Sequence, residues 1–153
     1  MDKWNKRFVG ILNEVASWSS CLRHEIGCVV VRDKRILTTG YNGAPAGCKT
    51  CKEKHECYRD INKIPSGQNS HLCYAVHAEQ NAIAQAAYMG TCLKDAELYC
   101  THQPCSMCAR LIINSGIKTV YYLHPYPDEF ANKLFSESGV KVIHLETDNT
   151  CCM

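Results

Sequence analysis

The stretch AVHAEQNAIAQAA, residues 75–87, begins an alanine-rich helix and places His77 and Glu79 at its start. Two residues that lie two apart on a helix do not face one another. Both side chains can therefore reach one target only if that target lies beyond the N-terminal end of the helix. This position of the target decides how the rest of the chain must be arranged.

The segment THQPCSMCARL, residues 101–111, places two cysteines at the start of a second helix. Cys105 and Cys108 are three residues apart, so their sulfur atoms share one face, and Pro104 suits a sharp helix start. The helix dipole and the exposed amides lower the pKa of thiols at this end. With His77, these cysteines form a predicted set of three zinc ligands, and a catalytic zinc keeps its fourth position for water.

Glu79 has a predicted role beside such a zinc ion. Two thiolates and a neutral imidazole cancel the charge of Zn²⁺, so the site acidifies water less than three neutral histidines would. A nearby base must then help to remove the proton, and Glu79 is the predicted base. The alternative is a structural zinc knot, but 27 residues separate His77 from Cys105, more than ordinary zinc-finger spacing.

Hydrophobic periodicity predicts the elements around these two helices. A helix is expected over residues 3–19, two strands over 27–33 and 35–43, and a long irregular segment from about residue 47 to residue 73. Strands then alternate with helices through residues 96–145, which predicts a three-layer α/β domain with a largely parallel second half. The long irregular segment is expected to be functional or tied down.

Length and composition limit the class of protein. A chain of 153 residues with 46% hydrophobic and 21% charged residues is expected to form one globular domain over residues 1–153. No signal peptide or apolar run of membrane-spanning length is present, so we expect a cytoplasmic protein with no membrane partner. In a reducing compartment its 12 cysteines are expected to be ligands, catalytic groups or core residues such as Cys28 and Cys100. A net charge of +2 gives no indication of a nucleic-acid partner.

The pattern H-x-E followed by P-C-x-x-C is the signature of zinc-dependent nucleobase deaminases. The chain resembles the cytidine deaminase superfamily and, more closely, the deoxycytidylate (dCMP) deaminases, including the bacterial late-competence type. Four motifs carry the resemblance, which runs over residues 4–145: GYNGAPAG (40–47), HAEQNAI (77–83), PCSMC (104–108) and SGIKTVYY (115–122). It implies a three-layer α/β/α sandwich around a mixed five-stranded sheet.

The resemblance also implies a reaction and roles for residues. Zinc held by His77, Cys105 and Cys108 would serve the hydrolysis of dCMP to dUMP and ammonia, with Glu79 as the proton shuttle. The backbone amide of Ala78 would receive the pyrimidine carbonyl.

Two further substrate contacts are expected, each with a simpler alternative. Asn42 would contact the sugar by resemblance, although Asn42 before Gly43 is also a favourable turn pair. Tyr121 and Tyr122 alternate on a strand, so at most one faces the pocket, and Tyr122 is the candidate substrate-lining residue. Basic residues near the pocket would hold one phosphate: Arg23, Lys49 and Arg110.

Family members are often hexamers that dCTP activates and dTTP inhibits. The resemblance therefore implies a homo-hexamer, these two effectors and a magnesium ion with the nucleotide effector. No residue in the sequence identifies any of these properties.

The cysteine-rich insert, residues 47–76, resembles a segment that holds a second, structural zinc in several dCMP deaminases. The matching ligands are Cys21, Cys51, Cys57 and Cys73, and either His71 or Cys48 could replace one of them. Such a closed site would order a segment that has no core pattern of its own. Cys151 and Cys152 in the C-terminal tail are expected to be free thiols.

Two other functions remain as alternatives. One is deamination of free cytidine, guanine or tRNA adenosine, but tRNA enzymes generally lack such an insert and use a basic surface. The other is a non-catalytic zinc interaction protein linked to DNA uptake. Glu79 argues against this second alternative, because a purely structural zinc site has no use for a free carboxylate.

Overall fold

The computed structural model describes residues 1–146, so Cys151 and Cys152 lie outside the described residues. Five strands and six helices are found in this part of the chain. In chain order they are α1 (Lys3–Ser17), β1 (Gly27–Arg32), β2 (Arg35–Tyr41), α2 (Cys51–Lys54), α3 (Tyr58–Ile61), α4 (Ala78–Met89), β3 (Glu97–His102), α5 (Ser106–Asn114), β4 (Thr119–His124), α6 (Glu129–Ser138) and β5 (Lys141–His144). A 3₁₀ turn, Ser70–Leu72, precedes α4.

The strands form one mixed sheet in the order β2-β1-β3-β4-β5. β1 is antiparallel to both β2 and β3, whereas β3, β4 and β5 are parallel. Asp33 and Lys34 join β1 to β2 and both have positive φ angles, of 52° and 63°, as a two-residue hairpin turn with right-handed twist requires. The predicted hairpin, parallel second half and five-stranded sheet are confirmed.

Helices cover both faces of the sheet. On one face, α1 packs its apolar side, including Leu12 and Val15, against Val29 and Tyr99. On the other face, α4, α5 and α6 enclose the larger core, in which Phe135 of α6 is buried. The three-layer α/β/α sandwich is therefore confirmed, with its second core directly behind the two predicted site helices.

Gly40 of β2 allows α4 to lie very close to the sheet. A Cβ atom at Gly40 would lie 2.5 Å from the backbone nitrogen of Ala82 and would also collide with the carbonyl oxygen of Ala78. Ala78 and Ala82 are themselves completely buried. The small residues of HAEQNAI and the glycine of GYNG thus set the position of the N-terminal end of α4.

Gly40→Ala should consequently destabilise the protein by about 1–3 kcal/mol, because backbone atoms must move to admit the methyl group. Urea unfolding measures this change. The matched control is Gly10→Ala in α1, where an added Cβ meets nothing within 4 Å and should stabilise the helix by about 0.5–1 kcal/mol. Equal effects of the two substitutions would contradict the close packing of α4.

The insert contains only short elements, α2, α3 and the 3₁₀ turn, and is attached to the rest of the chain by polar contacts. Nε of Arg23 donates to Asp60 of α3 at 2.7 Å, and Nη2 of Arg23 donates to the carbonyl of Ile64 at 2.9 Å. Lys52 donates to the carbonyl of Ser19 at 2.6 Å. The expectation of an irregular segment that is tied down is confirmed. Within residues 1–146, no helix is long and apolar enough to cross a membrane.

Candidate metal centre and active site

The N-terminal ends of α4 and α5 meet behind the carboxyl end of β3. His77 is the residue before α4, and Cys105 is the residue before α5, with Cys108 in the first turn of that helix. Nδ1 of His77 lies 3.6 Å from Sγ of Cys105 and 3.4 Å from Sγ of Cys108. The three predicted ligands are therefore brought together.

This donor set fits a zinc ion. Around a tetrahedral zinc with bonds of about 2.3 Å to sulfur and about 2.0 Å to nitrogen, the sulfur and nitrogen ligands lie about 3.5 Å apart. The observed separations of 3.6 and 3.4 Å agree with that geometry. The three ligand atoms all lie within 4.8 Å of one another, so His77, Cys105 and Cys108 can bind one ion and leave a fourth position open.

Hydrogen bonds within the cluster prepare one thiol for metal binding. The Cys108 side chain donates to Cys105, which lowers the pKa of the Cys105 thiol to about 4, and His77 lowers it further against the effect of burial. The same hydrogen bond raises the pKa of Cys108. Cys105 likewise raises the pKa of His77, so Cys105 is held as a thiolate, the form that binds metals.

Glu79, the second residue of α4, is buried beside this cluster, with 5% of its surface exposed. Burial raises the pKa of its carboxyl group, while the charge on His77 has the opposite effect. Because both His77 and Glu79 line one cavity, they share a target beyond the helix end, as predicted from their spacing. A carboxyl group in this position is able to take up and release protons.

A cavity of about 250 Å³ opens onto the cluster. Asn42 and Ala78 both line it. Ala78 is the first residue of α4, where backbone N–H groups have no partner within the helix. This amide is available to a carbonyl group in the cavity, and the substrate contact of Ala78 stays a prediction.

The Asn42 side chain is already engaged with the protein. Its Oδ1 accepts a hydrogen bond from the Ile26 backbone N–H at 2.9 Å, and its Nδ2 donates to the His24 carbonyl at 2.9 Å. These bonds fix the segment that enters β1, and one amide hydrogen remains for a ligand. Asn42 therefore has a structural role that the turn pattern did not indicate.

The assignment of Tyr122 to the substrate pocket is a wrong prediction. Its ring stacks on His144 of β5, with 5.0 Å between the ring centroids, and it does not line the cavity. Tyr121 also faces away, because it stacks on Tyr99 at 4.5 Å beneath α1. Tyr126 lines the cavity instead, since the chain turns towards it after β4 ends.

The prediction that three basic residues near the pocket hold a phosphate is also largely wrong. Arg23 lines the cavity but is paired with Asp60. Lys49 and Arg110 do not line it, and the guanidinium of Arg110 lies 5.5 Å from the centre of the Phe130 ring. Arg59, which the sequence analysis missed, does line it.

Gln103 and two histidines were also missed. Gln103 lies directly after β3. Its position at the carboxyl end of a predicted strand could have indicated a residue that lines the cavity. His24 and His102 line the same cavity, and their rings lie 6.4 Å apart between centroids. Burial, together with His124 and His24, lowers the pKa of His102, so its ring is uncharged at neutral pH.

The four cysteines proposed for a second metal line the same cavity. Cys51 and Cys57 are buried, Cys21 and Cys73 are half-buried, and burial and then the other three thiols raise the pKa of Cys51. Within residues 1–146, however, the one group of three or more candidate ligand atoms within 4.8 Å of each other is that of His77. The quartet is thus gathered but is not at metal-binding distances, and the alternatives Cys48 and His71 are both exposed.

Comparison with known proteins agrees with this site. The model of the cytidine and deoxycytidylate deaminase zinc-binding region matches residues 2–124. ComE operon protein 2 of Bacillus subtilis is 38% identical over 146 residues, which cover 95% of this chain and 72% of that protein. The deoxycytidylate deaminase of Mycobacterium phage D29 is 42% identical over 123 residues, covering 78% of this chain and 93% of that protein.

A solved structure gives the same result for the fold. The dCMP deaminase of the cyanophage S-TIM5, in complex with dCMP and dUMP, matches with a TM-score of 0.77 and 28% identity. The match covers 95% of this chain and 99% of that one. With three zinc-binding side chains at two helix ends and a buried carboxyl group beside them, this chain belongs to the family of zinc-binding cytidine and deoxycytidylate deaminases.

Proposed function

We propose that this protein hydrolyses dCMP to dUMP and ammonia in pyrimidine nucleotide metabolism. The observation that carries the proposal is that the cluster of His77, Cys105 and Cys108 and the carboxyl group of Glu79 lie together at a single cavity. Relatives named deoxycytidylate deaminase, and the cyanophage structure that contains dCMP and dUMP, support this choice of substrate.

The roles of the residues follow from their chemistry. His77, Cys105 and Cys108 would hold a zinc ion, which when bound acts as a Lewis acid and makes water nucleophilic near neutral pH. The Ala78 amide donates to the pyrimidine carbonyl and so orients the ring. Glu79 takes a proton from the water that attacks the ring carbon C4 and delivers a proton to the amino group, which leaves as ammonia.

Ammonia release from dCMP, CMP, deoxycytidine and cytidine, measured side by side with a single-stranded oligonucleotide, tests the proposal. We expect dCMP to be the preferred substrate and the oligonucleotide to be inactive. Equal rates on nucleoside and nucleotide would indicate a free cytidine deaminase. Activity on tRNA or guanine, with none on dCMP, would contradict the proposal.

We also propose a second, structural zinc held by Cys21, Cys51, Cys57 and Cys73. Its support is that all four thiols line one cavity, and that three of them lie in a segment that contains only short helices.

Metal analysis of the protein purified without chelators should then give about two zinc ions per chain. Cys51→Ser should lose one of them and lower the melting temperature, because binding energy at a structural site is folding energy. Cys48→Ser is the matched control, since Cys48 is exposed and should not affect the metal content. A content of one zinc per chain in both the parent protein and Cys51→Ser would contradict the proposed second site.

The single domain over residues 1–153 and the cytoplasmic location stay predictions from length and composition. The hexamer and regulation by dCTP and dTTP with magnesium stay predictions from the resemblance. Sedimentation velocity tests the hexamer, and assays at low dCMP with each effector test the regulation. A monomer whose rate is unchanged by either nucleotide would exclude both properties.

A further inference from the structure

Arg59 of α3 has a buried nitrogen atom without a partner. Within residues 1–146, the Nε atom of Arg59 is the one buried side-chain nitrogen or oxygen atom that has no hydrogen-bond partner. A buried donor left unpaired is costly, so such an atom calls for an explanation, often an absent ligand. Arg59 lines the cavity that contains the candidate metal centre.

The protein fixes the orientation of the Arg59 guanidinium. Its Nη2 donates to the carbonyls of both Pro65 and Gln68, each at 2.7 Å. These two bonds use both hydrogens of Nη2. The hydrogens of Nε and Nη1 are left for another acceptor, and the held guanidinium loses little further freedom when it binds one.

Arg59 is also the arginine that remains available in this cavity. Arg23, the other arginine that lines it, is paired with Asp60 and donates to the Ile64 carbonyl. In the described part of the chain, no carboxylate forms an ion pair with Arg59. Among the residues that the structure describes, Glu79 is the single acidic one lining the cavity, and it lies at the metal centre.

The loop that Arg59 holds supplies further hydrogen-bond donors. Ser66, Gly67 and Ser70 line the cavity beside Tyr126. Gly67 has a φ angle of 79°, and a Cβ atom there would lie 2.9 Å from the Tyr126 hydroxyl oxygen. The loop therefore passes close to Tyr126, and its two serines line the same cavity as Arg59.

We propose that Arg59, with the hydroxyls of Ser66 and Ser70, binds the 5′-phosphate of the substrate and selects dCMP over deoxycytidine. This inference rests on the proposed function, because it assigns a residue to the recognition of that substrate. A phosphate accepts the paired N–H groups of a guanidinium with good geometry and complements its charge. A nucleoside would leave these buried donors unpaired, and a site of this kind rejects such an analogue strongly.

The test compares dCMP with deoxycytidine in zinc-loaded Arg59→Gln, Arg59→Lys and the parent protein. Arg59→Gln should lower kcat/KM for dCMP on the order of 100-fold and change that for deoxycytidine by less than about threefold. Arg59→Lys should recover part of the loss, because it restores the charge but not the fork of donors. Arg110→Gln, a change outside the cavity, should leave both substrates unaffected.

Binding of the product gives a second readout that does not depend on turnover. By calorimetry, Arg59→Gln should weaken dUMP binding on the order of 100-fold and leave deoxyuridine binding unchanged. An equal loss for both substrates and both ligands would show that Arg59 only holds the loop, and this would overturn the inference. An unchanged preference for dCMP would overturn it as well.

This experiment distinguishes a failure of the proposed function from a failure of the role proposed for Arg59. If the parent protein does not deaminate dCMP, the proposed function fails. If it does, and Arg59→Gln retains the dCMP preference, only the assignment of Arg59 fails.

Discussion

Replacing Glu79 with glutamine should lower the turnover number for dCMP by about 10²–10⁴-fold, with the fold and zinc content intact. Glutamine has nearly the same shape as glutamate, so it fills the same buried space beside the cluster. Its amide, however, is unable to accept a proton from water or deliver one to the leaving amino group. Both transfers use the same carboxyl group, so the full effect falls on kcat.

Steady-state kinetics together with zinc analysis measures this effect. The matched control is Glu137→Gln on α6, an exposed residue, which should retain full activity. If Glu79→Gln kept more than a tenth of the parent activity, Glu79 would not be the proton shuttle.

Cys105→Ser should remove the zinc ion of the candidate active site and abolish measurable deamination. Cys105 is the thiol whose pKa is lowered to about 4 by the hydrogen bond from Cys108 and then by His77. A serine hydroxyl does not ionise in this range and binds zinc poorly, so two protein ligands would remain where a catalytic site uses three.

The exposed Cys92 provides the control for this substitution. Cys92→Ser should keep both the zinc content and the activity of the parent protein. Retention of activity by Cys105→Ser after exhaustive dialysis would exclude the three-ligand centre.

The metal centre could be predicted from the sequence because each ligand lies at the start of a helix. A helix N-terminus fixes the position of the first side chains through local geometry, and two such ends are enough to define a target. His77 and Cys105 therefore lie where the spacing predicts them, each just before its helix.

The walls of the cavity could not be predicted in this way. The alternation of Tyr121 and Tyr122 gives the face of the sheet on which each ring lies, but not the point where the chain leaves β4. That point places Tyr126 in the cavity instead. Arg23 failed as a free cation because its partner, Asp60, is 37 residues further along the chain.

Arg59 was missed for a related reason. It lies in an insert without hydrophobic periodicity, where local pattern gives no orientation for a side chain. Its position depends on the carbonyls of Pro65 and Gln68, which come close only after the insert has folded. Contacts of this kind have no sequence signature.

Product analysis in isotopically labelled water tests whether this chain hydrolyses dCMP. Incubation of the zinc-loaded protein with dCMP in water enriched in heavy oxygen should give dUMP that carries one labelled oxygen atom, with one ammonia for each dUMP. If dCMP stayed unchanged under conditions in which the same preparation deaminates another nucleobase substrate, dCMP would not be the substrate of this protein.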